Sequence, residues 1–130
     1  VRRQAMRAAM DSGQPRLSGR VQLVQDTGRD VPGMLMYVPV YQGALTPSTT
    51  AARRTAPRGW VYLPFRISTM VQASTAPVRG SERMRIVDVT GPGQTVLYED
   101  PAIYEASTFT YSLPMDMHGR RWRFDFFSGP

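Results

Sequence analysis

The chain has 130 residues, of which 42% are hydrophobic, and it carries a formal net charge of +6 without any cysteine. This length and apolar fraction suffice for one compact domain, or for two very small subdomains that share a core. The lack of cysteine excludes disulfides, thiolate metal sites and cysteine nucleophiles. Because no apolar run reaches the length of a membrane span and no signal peptide opens the sequence, we expect a soluble fragment of a larger protein.

The positive charge comes entirely from arginine, since the 16 basic residues include no lysine. A GC-rich coding bias explains this more simply than a binding surface does. The arginines are scattered, mainly at residues 2–7, 53–58 and 120–123, whereas a nucleic-acid groove concentrates its cations among stacking aromatics. We therefore predict no nucleic-acid partner and keep arginine-mediated binding of nucleic acid as a third alternative. An acidic small ligand or an anionic membrane surface stays open.

The N-terminal part of the chain predicts a helix followed by a strand. Residues 2–11 carry small and apolar side chains on one face at helical spacing, and Gly13 stands where such a helix ends. Residues 20–26 alternate apolar and polar side chains, which predicts a half-buried strand. A turn rich in glycine, aspartate and proline comes next.

Two apolar runs flank a long polar connection. Residues 33–41 and 59–66 have the content of β-branched and aromatic residues that is typical of buried strands. Pro39 and Pro64 lie inside these runs and predict strand ends, bulges or edges. We expect the connection at residues 42–57 to lack regular structure and to act as a mobile lid, since such long loops are usually functional or mobile.

The second half of the chain is rich in strands. Residues 67–75 predict a short helix with one apolar stripe, and residues 83–89 and 95–100 predict two paired strands around a glycine-rich turn. Two further strands are predicted as a hairpin, at residues 107–116 and 120–127. Strands, one crossing helix and more antiparallel strands together predict an α+β domain, with an antiparallel sheet and helices packed on one of its faces.

Groups that could perform catalysis are sparse. The one histidine, His118, stands in the predicted turn of the last hairpin, where side chains mostly face solvent. The aspartates show no spacing that would hold a metal ion, and the glycine-rich segment at residues 89–95 lacks the lysine of a phosphate-binding loop. We therefore predict no catalytic residue, no metal and no cofactor.

The aromatic residues are more informative. If the two apolar runs pair, alternation places Tyr37 and Tyr41 on one face of the first strand, and Trp60 and Tyr62 on one face of the second. Two interpretations are open: aromatic side chains that fill a core, or a small-molecule pocket with a few polar groups and a mobile cover.

Three segments of the sequence resemble the CHASE domain family: residues 11–18, 33–41 and 59–66, with Gly119 to Trp122 as a further element. The resemblance extends over about residues 2–65. It implies PAS-like sheets in an extracytoplasmic sensor domain that stands between two transmembrane helices, as in bacterial sensor kinases, diguanylate cyclases and plant cytokinin receptors. It also implies that residues 1–130 are the C-terminal part of such a domain and that the domain forms a dimer. Within the chain it implies a membrane-distal part at residues 1–76 and a membrane-proximal part at residues 77–130.

The resemblance also implies a set of ligand-binding positions. In cytokinin-binding members an aspartate, a leucine and a threonine contact the adenine-type ligand, and the aligned residues here are Arg2, Val24 and Tyr37. Since Arg2 and Tyr37 change the chemistry of their positions, we expect a carboxylate or phosphate ligand instead of an adenine-type one. The complete set of predicted ligand-binding residues is Arg2, Val24, Tyr37, Pro39, Tyr41, Trp60, Val61 and Tyr62.

The function that follows is reception of a small molecule by a homodimeric, periplasmic domain of an inner-membrane receptor. The receptor would carry a histidine kinase, diguanylate cyclase or phosphodiesterase output domain outside this chain. The alternative is a module of the same fold that dimerises or transmits a signal without its own ligand, or that senses through a partner protein.

Overall fold

The computed structural model describes residues 1–23, 28, 31–43, 45–75, 82–101 and 110–128. The helices are α1 (Arg2–Ser12), α2 (Thr50–Thr55) and α3 (Ile67–Thr75). The strands are β1 (Arg16–Leu17), β2 (Gly33–Tyr41), β3 (Pro57–Arg66), β4 (Arg83–Asp88), β5 (Thr95–Glu99), β6 (Thr110–Met117) and β7 (Arg120–Phe127). None of the described helices combines the length and the apolar character that are needed to cross a bilayer.

The strands form two antiparallel sheets. The first sheet has the strand order β1-β2-β3, and the second has the order β5-β4-β7-β6. The α+β class that the sequence predicts is confirmed, with the strands divided between two sheets. The division into parts at residues 1–76 and 77–130 stays a prediction, although the first sheet lies wholly before that boundary and the second wholly after it.

One buried cluster joins the two sheets. It contains residues from β1, β2, α3, β4, β5 and β7, namely Leu17, Met34, Ile67, Val71, Ile86, Leu97, Tyr98 and Trp122. The amide of Leu17 also donates a hydrogen bond of 3.0 Å to the carbonyl of His118, in the turn between β6 and β7. Burial of these side chains provides the main attraction between the sheets, because the stabilisation is proportional to the apolar area removed from water.

Helix α1 ends where the sequence predicts. Gly13 adopts a left-handed conformation (φ 71°), and its amide donates to the carbonyl of Ala9 at 2.9 Å. Only glycine adopts this conformation without a steric penalty, so the helix stops here. On the face toward the first sheet, Ala5 and Ala9 are buried against Leu35 and Tyr37. Their small side chains allow α1 to lie close to the strands.

Strands β2 and β3 are neighbours along almost their whole length, with Tyr37 opposite Tyr62. Pro39 and Pro64 lie within these strands. The amide of Leu35 donates to the Ser18 hydroxyl at 3.0 Å, and the carbonyl of Leu35 accepts from the Ser18 amide at 2.8 Å. The backbone hydrogen-bonding groups of Leu35, and of every second residue after it up to Pro39, therefore point away from β3. Pro64 stands opposite Leu35 and faces the open edge of β3. Neither proline therefore removes a hydrogen bond between β2 and β3, which agrees with the predicted edge positions.

The prediction that residues 42–57 lack regular structure is wrong, because they contain α2. The side chain of Thr49 caps this helix by accepting a hydrogen bond of 3.1 Å from the amide of Ala52. Arg53 Nε donates to the main-chain carbonyl of Asp11 at 2.7 Å, and Arg54 pairs with the Asp11 carboxylate at 2.9 Å. The segment is thus tied to the C-terminal end of α1.

The predicted strand at residues 20–26 is not formed in its described part. Val21 makes a single bridge to Gly33, whereas residues 22 and 23 belong to no strand. Residues 24–27 lie outside the described part of the chain.

The predicted elements of the second half are confirmed where the structure describes them. Strands β4 and β5 pair around the glycine-rich turn, and β6 and β7 form the last hairpin. Its turn contains His118 (φ 47°) and Gly119 (φ 87°), and two consecutive positive φ values are typical of a two-residue type I′ turn. In α3, Ile67 and Val71 are buried, but Met70 is 36% exposed.

Candidate functional site

A cavity of about 470 Å³ lies between the N-terminal half of α1 and the aromatic face of β2 and β3. Its volume falls within the range of roughly 300–1,000 Å³ that is usual for small-molecule pockets. The lining residues come from α1, from β2, from β3 and from the segment between β1 and β2. They are Arg2, Met6, Leu23, Leu35, Tyr37, Trp60, Tyr62 and Pro64.

Strand alternation forms the floor of the cavity. Residues two apart on a strand share a face, so Leu35 joins Tyr37 on β2, while Trp60 and Pro64 join Tyr62 on β3. The rings of Tyr37 and Tyr62, which stand opposite each other, have centroids 6.2 Å apart and an interplanar angle of 43°. The floor therefore combines the rings of Tyr37, Trp60 and Tyr62 with the aliphatic side chains of Leu35 and Pro64.

Two hydrogen bonds fix α1 over this face. Trp60 Nε1 donates to the main-chain carbonyl of Met6 at 2.8 Å, and the Tyr41 hydroxyl donates to the carbonyl of Met10 at 2.5 Å. Burial raises the pKa of the Tyr41 hydroxyl, which keeps it neutral and able to donate. Both bonds act beyond the first turn of α1, which carries Arg2.

Arg2 is the charged residue of the lining. Its Nη2 donates to the main-chain carbonyl of Gln22 at 3.0 Å, which holds the guanidinium at the rim. In the described part of the chain, no carboxylate pairs with Arg2 and none lines the cavity. The mouth of the cavity is therefore cationic.

The cavity also presents hydroxyl groups that are free to bond. The hydroxyls of Tyr37 and Tyr62 make no hydrogen bond to another described residue, and each is both a donor and an acceptor. The indole N–H of Trp60 already bonds to Met6, so Trp60 offers the cavity only its apolar ring. A ligand would meet flat apolar walls, two hydroxyls and one guanidinium.

The structure brings together four of the predicted ligand-binding residues around the cavity: Arg2, Tyr37, Trp60 and Tyr62. Pro39 and Tyr41 share the face of Tyr37 but do not line the cavity, and Tyr41 instead lies beneath the C-terminal end of α1. Val61 is on the opposite face of β3 and is 56% exposed. Val24 lies outside the described residues. Ligand contact by any of these residues stays a prediction.

The expected lid occupies a different place. In its described part, the segment at residues 42–57 contributes no lining residue, and α2 is tied to the end of α1 that lies away from the cavity. From the helices, Arg2 and Met6 of α1 line the cavity instead.

Four lining residues were missed by sequence reasoning, namely Met6, Leu23, Leu35 and Pro64. Leu35 and Pro64 follow from the same alternation that predicts the tyrosine face, and Met6 stands one helical turn after Arg2. These three residues could have been predicted from the spacing alone. Leu23 was not, because the predicted strand that carries it does not form in its described part.

The buried carboxylates outside the cavity are already satisfied. Asp125 accepts hydrogen bonds from Arg85, Arg123 and Ser112, at 3.2, 2.8 and 2.7 Å. Asp88 accepts from Arg120 at 2.8 Å. No cluster of three or more metal-ligating side chains occurs among the described residues. The ion pairs of Asp125 and Asp88 therefore stabilise the second sheet and its junction with the first.

Comparison with known proteins identifies the family of the chain. A family model described as the CHASE domain matches residues 1–98, which is three quarters of the 130-residue chain and includes every lining residue of the cavity. No curated protein matches the sequence.

Proposed function

The chain belongs to the CHASE domain family, a family of extracytoplasmic sensor domains that are not catalytic, and from this premise we propose that it binds a small molecule as the sensing part of a membrane receptor. The observation that carries the proposal is the cavity between α1 and the paired strands β2 and β3, with its aromatic floor and cationic mouth. Ligand pockets commonly combine apolar walls with a few polar groups in this way.

The position of the cavity provides a route for a signal. A ligand there contacts both α1 and the first sheet, and it shifts an equilibrium between two arrangements only if it binds one of them more tightly. After α1 the chain turns at Gly13 into β1, where Leu17 bonds to the turn between β6 and β7. Gly19 lies against Arg120, since an added Cβ would stand 3.1 Å from its guanidinium. A displacement of α1 would therefore reach the last hairpin.

The wider setting is part of the same proposal. We place the domain in the periplasm, between flanking transmembrane helices of a receptor with a histidine kinase, cyclase or phosphodiesterase output, and we expect it to act as a homodimer. Family membership supports the extracytoplasmic position. Apolar side chains exposed on β3 and β6, one edge strand of each sheet, support association, since such patches mark contact surfaces. They are Val61, Leu63, Tyr111, Leu113 and Met115.

A module that transmits a signal without its own ligand is the second candidate. It is favoured by the buried cluster shared between the sheets, which would couple them whether or not the cavity is filled. The two candidates differ in one measurable property, because only the receptor binds small molecules at the cavity.

Calorimetric titration with a broad panel of metabolites tests the proposal. The variant Tyr62→Ala removes part of the cavity wall, and Val61→Ala is its matched control, since Val61 is the neighbouring residue with similar exposure on the opposite face. We expect at least one compound to bind, with affinity lost in Tyr62→Ala and kept in Val61→Ala. If the whole panel gives no binding, the second candidate is preferred.

A further inference from the structure

The shape of the cavity selects for a flat ligand. Its floor contains the rings of Tyr37, Trp60 and Tyr62, and its other lining side chains are apolar apart from Arg2. Rings of this kind stack favourably on other flat π systems, in offset or tilted arrangements. The polar groups that these lining residues offer to a ligand are the hydroxyls of Tyr37 and Tyr62 and the guanidinium of Arg2.

Aromatic clusters of this kind also bind cations, so the sign of the charge must be decided separately. A ligand ammonium over Tyr or Trp gains roughly 0.5–2 kcal/mol from the ring quadrupole. Here, however, Arg2 already supplies a cation at the mouth, and no carboxylate among the described residues neutralises it. Repulsion between two like charges in a partly enclosed space opposes binding of a cation. The charge at the mouth therefore favours an anion.

The number of donors at the mouth favours a carboxylate over a phosphate. Arg2 uses Nη2 for the Gln22 carbonyl, and its remaining N–H groups have no acceptor among the described residues. The guanidinium of Arg2 thus keeps N–H donors for a ligand, and its single positive charge and planar geometry match those of a carboxylate. A phosphate monoester carries a charge close to −2 and three strong acceptors at neutral pH, and it needs more donors than one arginine provides.

From these observations we infer that the ligand is a flat, aromatic monocarboxylate whose ring lies on Tyr37, Trp60 and Tyr62 and whose carboxylate pairs with Arg2. The inference rests on the proposed function, since it names the chemical class that the same cavity would receive.

Four probes with one ring system test the class. They are 2-naphthoate, 2-naphthamide, the 2-naphthylmethylammonium ion and 2-naphthyl phosphate, which share the flat body and differ in the charged group. Isothermal titration of the complete 130-residue chain should show 2-naphthoate binding about tenfold more tightly than the amide, the magnitude of one hydrogen bond to a charged group. Its affinity should also fall with added salt, whereas that of the amide should not.

The variant Arg2→Gln isolates the contribution of the guanidinium. It should lower the affinity for 2-naphthoate to that of the amide and leave the amide unchanged. Arg3→Gln is the matched control, because Arg3 is an exposed arginine on the same helix that does not line the cavity, and the variant has the same net charge. We expect it to bind all four probes as the unaltered chain does.

Other outcomes separate the inference from the proposed function. The inference is overturned if 2-naphthoate does not bind, if another probe binds as tightly, or if Arg2→Gln leaves the preference unchanged. Binding of a neutral or cationic metabolite that is lost in Tyr62→Ala would leave reception standing with a different ligand class. Only the absence of binding across the wider panel counts against reception itself.

Discussion

Trp60 and Met6, which are 54 residues apart in the sequence, are joined by a hydrogen bond of 2.8 Å from the indole Nε1 to the main-chain carbonyl. The bond fastens the middle of α1 to β3 directly beside the cavity. The bond also occupies the indole N–H of Trp60, so Trp60 contributes only its apolar ring to the wall of the cavity.

Replacing this tryptophan tests its role in holding α1. We expect Trp60→Phe to lower the free energy of unfolding by at least about 1 kcal/mol, because it removes this hydrogen bond and part of the ring that packs against the buried cluster under α1. Urea denaturation measures the change. Tyr62→Phe is the control, because the Tyr62 hydroxyl has no partner among the described residues, and its effect should stay within about 0.5 kcal/mol. Equal losses in the two variants would contradict the proposed role of the bond.

Gly33→Ala should change the shape of the cavity by displacing the lining residue Leu23. A Cβ at Gly33 would stand 2.5 Å from Cγ of Leu23, a buried residue of the lining. The backbone of Gly33 does not require glycine, so the cost arises from displacing Leu23, and overpacking of this kind costs about 1–3 kcal/mol. We expect lower stability and weaker binding of any cavity ligand. Gly91→Ala is the control, since its Cβ would meet open space.

The ion pairs around Asp125 predict a specific loss of stability in acid. Burial by itself raises the pKa of Asp125, but the hydrogen bonds from Arg123 and Ser112 outweigh it and hold the pKa below its ordinary value. A lowered pKa contributes stability that is complete above the unfolded-state pKa of about 3.9 and is lost as the pH falls through the folded-state pKa.

Asp125→Asn should remove this contribution. At neutral pH we expect it to lower the free energy of unfolding by about 1–3 kcal/mol, because it leaves Arg85 and Arg123 without their shared carboxylate. Urea denaturation at neutral and acidic pH should then show a smaller acid-induced loss than in the unaltered chain. Asp116→Asn is the control, since Asp116 is 84% exposed and its pair with Arg121 lies on the surface. An unchanged pH dependence in Asp125→Asn would refute the assignment.

Two neighbouring arginines should differ in how they hold α2. Arg53 donates to the main-chain carbonyls of Asp11 and Pro47, at 2.7 and 2.8 Å, whereas Arg54 makes an exposed ion pair with the Asp11 carboxylate. Exposed pairs contribute little. Arg53→Ala should therefore raise the hydrogen-exchange rate of the α2 amides by at least about tenfold, the effect of losing a hydrogen bond to a charged group. Arg54→Ala should change it little, and the reverse order would contradict this account.

The sequence predicted those elements whose determinants are local. The helix of α1 follows from side-chain spacing and from Gly13, and the turn at His118 and Gly119 follows from its position between two alternating runs. The tyrosine face of β2 and β3 follows from alternation, once the two runs are taken as partners. By the same rule, Val61 belonged on the opposite face from Tyr62, and Pro64 on the same face.

Features that depend on contacts between distant residues were not predictable in this way. Hydrogen bonds from Arg53 and Arg54 to Asp11, more than 40 residues away along the chain, hold the α2 helix. Because these contacts are not local, the sequence of residues 42–57 predicted no regular structure. Tyr41 obeys the alternation but lies under the C-terminal end of α1 instead of in the cavity, because the path of α1 across the sheet decides which part of one face stays open.

The amino-acid order by itself determined the α+β class, most of the strands and the chemistry available on one strand face, because backbone conformation and side-chain direction depend on neighbours a few residues away. Only the tertiary structure decided that a cavity remains between α1 and that face, and that Arg2 lies at its mouth without a carboxylate partner among the described residues. The physical reason is that packing between elements fixes the position of a helix on a sheet, and no local pattern encodes the space that this packing leaves.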